Sequence, residues 1–401
     1  MVGITGTNGK TTTAHLIGTC LANCGARPAV VGTLGYFFEG LEHPSTHTSP
    51  EADEIQRVAA MLRSRGASHL VMEVSSIALV AERVAEMNFD VAVFTNLTQD
   101  HLDYHGTMEA YAAAKAQLFL EHRPPVAVIN VDDPFGVELA EQVAEAGRSR
   151  VIRVSLSQAV EVYAEQHELT GRGMELSLVV AGQPDAQGAS ERRRFAVRAP
   201  FSGTFNISNV LCAVAVVEAL GLDVGAALTA LEAAAPVPGR LERCDGPADD
   251  IVALVDYAHT PGALERVLES IGPAGGERLW CVFGCGGDRD SQKRGPMGEA
   301  VARAAQVAIV TNDNPRSERP ESIAEAVVAG LELVPGIEIR VELDRALAID
   351  QAVAAAAPGD VVLVAGKGHE PYQIIGDEVT DFDDRLVLRR SLRRRRGEGV
   401  G

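Results

Sequence analysis

Short runs of β-branched and aliphatic residues alternate along the chain with longer stretches that are rich in Ala, Leu and Glu. The short runs predict buried strands, and the stretches between them predict helices. This alternation is typical of βαβ units around a parallel sheet, so the sequence predicts an α/β protein. The strands are predicted at residues 2–5, 29–32, 69–74, 91–96, 126–131, 251–257, 279–284, 307–311, 337–343 and 361–365.

Between the two series of strands, apolar and polar positions alternate. Residues 151–156, 174–180 and 194–198 show this alternation, which predicts antiparallel strands, and the polar stretch 182–191 predicts a turn. A helical Ala/Leu segment then ends in two prolines and a glycine at 235–239, a composition that favours a domain boundary. The sequence therefore predicts two domains, 1–238 and 239–401.

The composition excludes several classes of protein. Hydrophobic residues make up 46% of the 401 positions, which excludes disorder as the main state. The net charge of −19 argues against nucleic-acid binding, and no apolar run is long enough to span a membrane. Because the N-terminus lacks a secretion signal and the six cysteines form no CxxC pair, we expect a cytoplasmic protein. The basic run 389–396 is expected to be a solvated helix end or tail.

A glycine-rich segment follows the first predicted strand and precedes a helix. Its small residues allow successive backbone N–H groups to turn inward around phosphate oxygens. Lys10 then supplies a positive charge for the β- and γ-phosphates of a nucleotide, and the Thr11 hydroxyl is a candidate ligand of Mg²⁺. Ile4 stands at the first glycine of the strict phosphate-loop pattern, but the strand–loop–helix context still predicts nucleotide binding, and an ordinary glycine-rich turn before a helix is the alternative. The predicted nucleotide-binding residues of this segment are Gly6, Thr7, Asn8, Gly9, Lys10, Thr11 and Thr12.

Two further segments place carboxylate and imidazole groups after predicted strands. Glu73 lies at the end of the strand 69–74, and the sequence DHLDYHG at 100–106 follows the strand 91–96. Strand C-termini of a parallel sheet face the ligand crevice, so Glu73 and His101 are candidates to hold Mg²⁺ beside ATP. A zinc site and a purely structural loop remain alternatives for the DHLDYH cluster.

The segment TGTNGKTTT resembles the ATP loop of the Mur ligases, and folylpolyglutamate synthases have a similar loop. The Mur ligase resemblance implies a central ATPase domain of the P-loop type followed by a Rossmann-like C-terminal domain. It also implies that Glu73 and His101 are Mg²⁺ ligands. Lys115, which by itself would be an ordinary helix lysine, matches a carbamylated lysine of the family, and its carbamate would help to bind a second Mg²⁺.

Three further segments resemble nucleotide-binding motifs of the same family. The segment 203–209 resembles G-x-F-N-x-x-N, which implies that Asn206 and Asn209 contact adenine, although an Asn-rich turn and helix cap is the alternative. Arg240 lies in a segment that resembles the interdomain GR[LM]E signature. Asp256 and His259 match a DYAH motif that contacts the ATP ribose. The resemblance implies that both domains close over one nucleotide.

The tetrapeptide at 313–316 resembles the DNPR motif of those Mur ligases that add meso-diaminopimelate to UDP-N-acetylmuramoyl-L-alanyl-D-glutamate. Diaminopimelate carries a second amino-acid head group, whose carboxylate a guanidinium can bind in a bidentate manner while carboxylate and amide groups take its ammonium. An ordinary turn with an exposed arginine is the alternative. The residues that this resemblance implies for diaminopimelate are Arg289, Asp313, Asn314, Arg316, Gly366 and Glu370.

The resemblance also assigns a site for the UDP-sugar dipeptide. It comprises Thr48, Ser49, Ser75 and Arg83, whereas Ile77 stands where the family usually has a histidine. The family has a further N-terminal domain of about a hundred residues that binds the uridine diphosphate, and the resemblance covers only the other two domains. We therefore expect the given sequence to start inside the second domain.

The expected activity is ATP-dependent formation of an amide bond through an acyl phosphate, by a monomer that acts on small molecules. A ligase of the folylpolyglutamate synthase type is one alternative, which the DNPR segment and Arg289 disfavour. An inactive nucleotide-binding fragment is the other alternative.

Overall fold

The computed structural model describes residues 1–45, 47–170, 173–182, 190–271 and 277–398. The chain divides into two compact units, Met1–Ala235 and Pro236–Gly401. Most of the turn predicted at 182–191 lies outside the described residues. Both units combine helices with a mostly parallel sheet, which confirms the α/β class.

In the described part of the first unit, the strands form one sheet of eleven strands. They are β1 (Val2–Thr5), β2 (Pro28–Gly32), β3 (Gly35–Phe38), β4 (Leu41–His43), β5 (His69–Glu73), β6 (Val91–Phe94), β7 (Val126–Asn130), β8 (Arg150–Ser155), β9 (Val162–Thr170), β10 (Gly173–Ala181) and β11 (Arg192–Ala199). The helices are α1 (Lys10–Asn23), α2 (Ala52–Ser64), α3 (Ser76–Val80), α4 (Leu102–His105), α5 (Met108–Leu120), α6 (Pro134–Ala146), α7 (Thr204–Ala219) and α8 (Val224–Glu232).

The first strand lies at the centre of this sheet. β1 pairs in parallel with β5 on one side and with β6 on the other, and the parallel pairing continues through β7 and β8 to β9. β2 to β4 and β9 to β11 form antiparallel meanders at the two edges. The prediction that residues 151–156 form an antiparallel strand is wrong. β8 is parallel because α6 connects it to β7 by a crossover, and its polar positions reflect partial exposure of the strand, since Arg150 is half-buried and Arg153 is exposed.

Both faces of the parallel strands are covered. Along β6, Val91 and Val93 face one apolar cluster, which α1, α7 and α8 help to form, whereas Ala92 and Phe94 face a second cluster on the other side. Strands that are buried on both faces read as continuous apolar runs, which explains why the sequence pattern found them. α7 is apolar on nearly all sides, yet none of the described helices is long and apolar enough to cross a membrane.

The second unit is built on a sheet of six strands in the order β12-β13-β17-β14-β15-β16 among the described residues, with a separate hairpin. Its strands are β12 (Glu242–Arg243), β13 (Val252–Asp256), β14 (Leu279–Phe283), β15 (Val307–Val310), β16 (Glu338–Val341), β17 (Val361–Ala365), β18 (Tyr372–Ile375) and β19 (Glu378–Asp381). Its helices are α9 (Pro261–Ser270), α10 (Arg294–Ala304), α11 (Pro320–Leu331), α12 (Arg345–Ala355) and α13 (Asp384–Arg395).

The basic run near the C-terminus forms the last turns of α13, so it is the predicted helix end and not a tail, and Arg389, Arg390, Arg393 and Arg394 are exposed. Arg389 pairs with Glu242, and Arg395 pairs with Asp250, each at 2.6 Å. The Arg395 side chain is only 16% exposed. These ion pairs fasten the helix to the rest of its unit, so the arginines have structural partners within the chain.

Candidate active site

The phosphate loop connects β1 to α1 at the carboxyl edge of the first sheet. Its backbone needs glycine at Gly9, where φ is +84° and an added Cβ would lie 2.5 Å from the Asn209 Oδ1 atom. The loop is attached to the end of β6, because the Thr7 N–H donates to the Asn96 carbonyl at 2.8 Å and the Asn8 N–H donates to the Asn96 side chain at 3.0 Å. The loop that the sequence predicted is therefore held in one shape by its neighbours.

Two lysines converge on this loop. The Lys10 ammonium donates to the Gly6 and Thr7 carbonyls at 2.9 Å, and the Lys115 ammonium donates to the same Gly6 carbonyl at 2.8 Å. Lys115 is 1% exposed, and burial together with the charge of Lys10 lowers its pKa well below the ordinary value. A lysine in these surroundings has an increased fraction of neutral amine, the form that reacts with CO₂. Carbamylation of Lys115 stays a prediction.

Glu73 lies beside the start of α1 and is 1% exposed. Its Oε2 atom accepts hydrogen bonds from the hydroxyls of Thr11 at 3.0 Å and Thr33 at 3.1 Å, and its Oε1 atom accepts one from the Thr33 N–H at 2.8 Å. A carboxylate next to a hydroxyl at a phosphate loop offers the hard oxygen donors that Mg²⁺ prefers. The sequence analysis missed Thr33, although its position directly after β2 places it at the same sheet edge.

His101 lies at the surface of the loop before α4. Its side chain is 47% exposed, and its Nε2 atom is 3.7 Å from the Asp100 carboxylate. Among the residues that the structure describes, no group of three or more His, Cys, Asp and Glu side chains is arranged to hold a metal ion. The zinc interpretation of the DHLDYH cluster therefore gains no support, and the role of His101 toward Mg²⁺ stays a prediction.

Tyr111 on α5 was missed by the sequence analysis. Its hydroxyl donates to the Thr7 hydroxyl at 3.2 Å, and the Lys115 ammonium lies 4.3 Å from the centre of its ring. Tyr111 precedes Lys115 by one helical turn, which places both on the same face of the helix. The spacing of the two residues was the available signal.

Asn206 and Asn209 on α7 lie behind the phosphate loop and are buried. Asn209 accepts from the Thr13 hydroxyl at 3.2 Å and donates to the Asn206 side chain at 2.9 Å, while Asn206 donates to the Ser202 carbonyl at 2.7 Å. Both amides are thus engaged with protein groups and hold the loop side of α1 against α7. Their contact with adenine stays a prediction.

The residues predicted for the UDP-sugar dipeptide are brought together next to Glu73. The Ser49 hydroxyl donates to the Glu73 carbonyl at 3.0 Å and accepts from the Ser75 N–H at 2.9 Å, and Arg83 donates to the Ser49 carbonyl at 3.1 Å. The Thr48 and Thr33 hydroxyls are 3.1 Å apart. Ile77 is half-buried on the short helix α3 and adds no polar group to this cluster.

In the second unit, the loops after β15 and β17 meet, and they carry most of the residues predicted for diaminopimelate. The Asn314 side chain donates to the Glu370 Oε2 atom at 3.0 Å. Gly366 has φ of +115°, and an added Cβ would lie 2.7 Å from the Asp313 Oδ2 atom. Arg316 donates to the Gly287 carbonyl at 2.8 Å, which directs its guanidinium to the loop after β14.

Arg289 lies on that loop after β14 and is exposed. Burial raises the pKa of Tyr372, and the negative charge of Glu370 raises it further. The positive charges of Arg316 and Arg289 lower the same pKa. Tyr372 therefore lies within the electrostatic reach of all three groups. The structure brings the predicted residues of this set into one region.

Arg240, Asp256 and His259 lie next to this region, because β13 pairs with β17 and the Gly366 N–H donates to the Asp256 carbonyl at 3.1 Å. The two Asp256 oxygens accept from the Leu241 N–H at 2.7 Å and the Ala258 N–H at 2.8 Å, and burial raises the pKa of this carboxyl. The Arg240 guanidinium lies 4.6 Å from the centre of the Tyr257 ring. Asp256 thus shapes the loop in which His259 lies, and the contact of these residues with ribose stays a prediction.

Comparison with known proteins gives consistent matches over both units. The Mur ligase middle domain matches residues 4–217, and the Mur ligase glutamate ligase domain matches residues 239–368. A UDP-N-acetylmuramoyl-L-alanyl-D-glutamate–2,6-diaminopimelate ligase of Gloeobacter violaceus is 46% identical over 400 residues, which cover 100% of this chain and 78% of the relative.

Solved structures show the same relationship. One structure of a UDP-N-acetylmuramoyl-L-alanyl-D-glutamate–2,6-diaminopimelate ligase matches with a TM-score of 0.70 and 36% identity, covering 98% of this chain and 78% of that chain. A folylpolyglutamate synthase of Mycobacterium tuberculosis matches with a TM-score of 0.65 and 21% identity over 91% of this chain and 88% of its own, a likeness of fold alone. The chain therefore belongs to the Mur ligases, a family of ATP-dependent enzymes that form amide bonds.

Proposed function

We propose that this enzyme adds meso-2,6-diaminopimelate to UDP-N-acetylmuramoyl-L-alanyl-D-glutamate, a step in the synthesis of a peptidoglycan precursor. The observation that carries the proposal is the meeting of the loops after β15 and β17 in the second unit, where Asn314 donates to Glu370 and Arg316 follows Asn314 by two residues. Relatives that are 41–46% identical to this chain are named for the same reaction.

The second unit has complementary groups for the distal end of diaminopimelate. The Arg316 guanidinium would bind the distal carboxylate in a bidentate manner, and Glu370 would take the distal ammonium. Asp313, Asn314 and Gly366 shape the loop between them, and Arg289 adds positive charge near the carboxylate. Lysine lacks the distal carboxylate, so Arg316 would favour diaminopimelate over lysine.

The first unit supports activation of the acid substrate. The D-glutamyl carboxylate attacks the γ-phosphorus of ATP, ADP leaves, and an acyl phosphate forms. Lys10 and the N–H groups of the phosphate loop neutralise the charge that develops on the transferred phosphoryl group. The free amine of diaminopimelate then attacks the acyl carbon, loses a proton, and expels phosphate as the amide forms. The protein positions the substrates and neutralises their charge, and no nucleophilic side chain is required.

Mg²⁺ is part of the proposal. Thr11 and Glu73 would hold one ion, His101 would add an imidazole, and the carbamate of Lys115 would help to hold a second. Bound Mg²⁺ would supply positive charge at the phosphate oxygens. The hard oxygens that lie together at Thr11 and Glu73 support this assignment.

The remaining assignments follow from the same reaction. Thr48, Ser49, Ser75 and Arg83 would bind the UDP-sugar dipeptide. ATP would be bound by Gly6, Thr7, Asn8, Gly9, Thr12, Asn206, Asn209, Arg240, Asp256 and His259 in the roles expected above. The ATP-binding and amino-acid-binding domains would meet at residue 238, and we infer a cytoplasmic monomer.

The experiment is an assay of phosphate release from ATP in the presence of UDP-N-acetylmuramoyl-L-alanyl-D-glutamate and Mg²⁺. We expect meso-diaminopimelate to stimulate release, and lysine to do so at most weakly. The variant Lys10→Met tests whether release comes from this site, because it should lose stimulation while remaining folded. Stimulation by glutamate with a folate, and not by diaminopimelate, would overturn the proposal in favour of a folylpolyglutamate synthase.

A further inference from the structure

The loop after β17 contains a lysine that the reaction described above does not use. Lys367 is 0% exposed, and no part of its side chain reaches solvent. Removing an ammonium group from water is costly unless hydrogen bonds and an opposite charge replace its hydration. A fully buried lysine therefore requires partners in the fold, and its partners indicate what it does.

In the part of the chain that the structure describes, the polar partners of the Lys367 ammonium belong to the diaminopimelate region. Its ammonium donates to the Asn314 Oδ1 atom at 3.2 Å and to the Glu370 Oε2 atom at 3.2 Å. It also lies 5.3 Å from the centre of the Tyr372 ring. Since Asn314 itself donates to the same Glu370 oxygen, the three side chains form a closed triangle.

The triangle determines the orientation of two groups. The Asn314 Oδ1 atom accepts from Lys367 and from the Ile374 N–H at 3.0 Å, so the amide oxygen faces inward and the NH₂ group faces Glu370. A flipped amide would turn its NH₂ group toward an ammonium and a backbone N–H, which are both donors. Among the described residues, both side-chain hydrogen bonds to the Glu370 carboxylate go to Oε2, which leaves the Oε1 atom available to a ligand.

We propose that Lys367 is a positioning residue for the distal ammonium of diaminopimelate. It touches no ligand itself, and it acts by holding Asn314 and Glu370 so that the Glu370 Oε1 atom accepts that ammonium. The inference rests on the proposed function, and it adds the residue whose hydrogen bonds make the site selective for an amino group at the distal carbon. Arg316 recognises the distal carboxylate, and the hydrogen bonds of Lys367 orient Glu370, which accepts the distal ammonium.

The test compares one substitution on two ligands. meso-Diaminopimelate and 2-aminopimelate both carry two carboxylates, but 2-aminopimelate lacks the distal ammonium. Binding of each ligand is measured by calorimetry, with ADP and Mg²⁺ present, for the wild type, for Lys367→Met and for Arg303→Met. Arg303 is an exposed residue of α10 in the same unit, paired only with Glu299 among the described residues, so its variant is a matched control for loss of a cation.

We expect Lys367→Met to weaken binding of meso-diaminopimelate by about tenfold or more, because a charge-assisted hydrogen bond becomes misaligned. Binding of 2-aminopimelate should change by less than about threefold, which is within the size of an ordinary neutral contact. Arg303→Met should bind both ligands as the wild type does. A purely structural role would weaken both ligands equally, and that result would overturn the inference, as would unchanged or tighter binding of meso-diaminopimelate.

A second variant keeps the test valid if Lys367→Met does not fold. In Lys367→Met/Glu370→Gln, the buried carboxylate charge is removed together with the ammonium. If Lys367 acts through Glu370, this double variant binds meso-diaminopimelate as weakly as Glu370→Gln alone, and a further loss would contradict the inference. Failure of the wild type to bind meso-diaminopimelate would overturn the proposed function as well, whereas wild-type binding with equal losses overturns the inference alone.

Discussion

The buried ion pair between Arg345 and Asp384 should be the most sensitive polar contact of the second unit. Both side chains are 0% exposed. Arg345 makes two bonds of 2.7 Å to the Asp384 carboxylate, and it also donates to the Asn312 carbonyl at 3.2 Å and the Ala365 carbonyl at 2.9 Å. Asn312 lies two residues after β15, and Ala365 ends β17, so one guanidinium ties α12 and α13 to the two loops of the diaminopimelate region.

The change Arg345→Met removes the guanidinium and retains most of the apolar volume. It leaves the Asp384 carboxylate buried without its cation, which costs about 3–5 kcal/mol in comparable buried pairs. The position of Asp384 at the start of α13 offsets about 0.5 kcal/mol of this through the helix dipole. With a urea dependence of about 2 kcal/mol per molar for a unit of this size, the unfolding midpoint should fall by about 1.2–2.2 M.

The unfolding assay can follow the second unit alone. The chain has one tryptophan, Trp280, which is buried on β14 and donates to the Asp360 carboxylate. Its fluorescence during urea unfolding therefore reports on this unit. The double variant Arg345→Met/Asp384→Asn removes both charges and should recover more than half of the loss. A midpoint within about 0.5 M of the wild type for the single variant would refute the reasoning, because it would mean that the buried pair is not a structural requirement.

Three further predictions concern the first unit. Gly9→Ala should weaken nucleotide binding by about tenfold, because the added Cβ would displace Asn209. The control Gly25→Ala should leave binding unchanged, because Gly25 has φ of +82° but no neighbouring atoms within 4 Å of the added Cβ. Fluorescence titration with an ADP analogue measures both. Glu73→Gln should raise the Mg²⁺ concentration for half-maximal phosphate release by about tenfold, and an unchanged Mg²⁺ dependence would exclude this carboxylate as a ligand. Because folding lowers the pKa of Lys115, the unfolded state binds more protons than the folded state up to pH 10.5. The stability of the wild type relative to Lys115→Met should therefore rise with pH up to that value, as measured by thermal unfolding followed by circular dichroism. Parallel pH profiles of the two proteins would contradict the burial argument.

Most of the parallel strands could be predicted from the sequence because they are buried on both faces and form continuous apolar runs, whereas the parallel strands β8 and β16 are partly exposed. β3 and β4 were missed because they have only four and three residues, which is too short for a clear pattern; β3 is mostly buried, and β4 is the exposed edge strand. The predicted direction of β8 was wrong because partial exposure of a parallel strand produces the same alternation as an antiparallel pair. Pairing partners, and not the local pattern, decide strand direction.

The candidate site was predictable where its residues lie in contiguous motifs. The residues of the phosphate loop and of the segment 313–316 are consecutive in the sequence, and their residue types indicate what each segment binds. Thr33 and Tyr111 were missed because their contacts come from the sheet and from a helix packed against the loop. Lys367 lies inside the segment that was recognised from the sequence, but only its burial and its hydrogen bonds to Asn314 and Glu370 indicate the positioning role that we propose for it.

The choice of amino acid by Arg316 is the central claim, and one comparison tests it most directly. The measurement is the ratio of kcat/KM for meso-diaminopimelate to kcat/KM for lysine, determined for the wild type and for Arg316→Ala. The wild type should strongly prefer diaminopimelate, and the variant should lose about a hundredfold or more of this preference, because a bidentate charged contact is removed for one substrate only. An unchanged ratio in a folded Arg316→Ala, or a wild type that uses lysine equally well, would contradict the account.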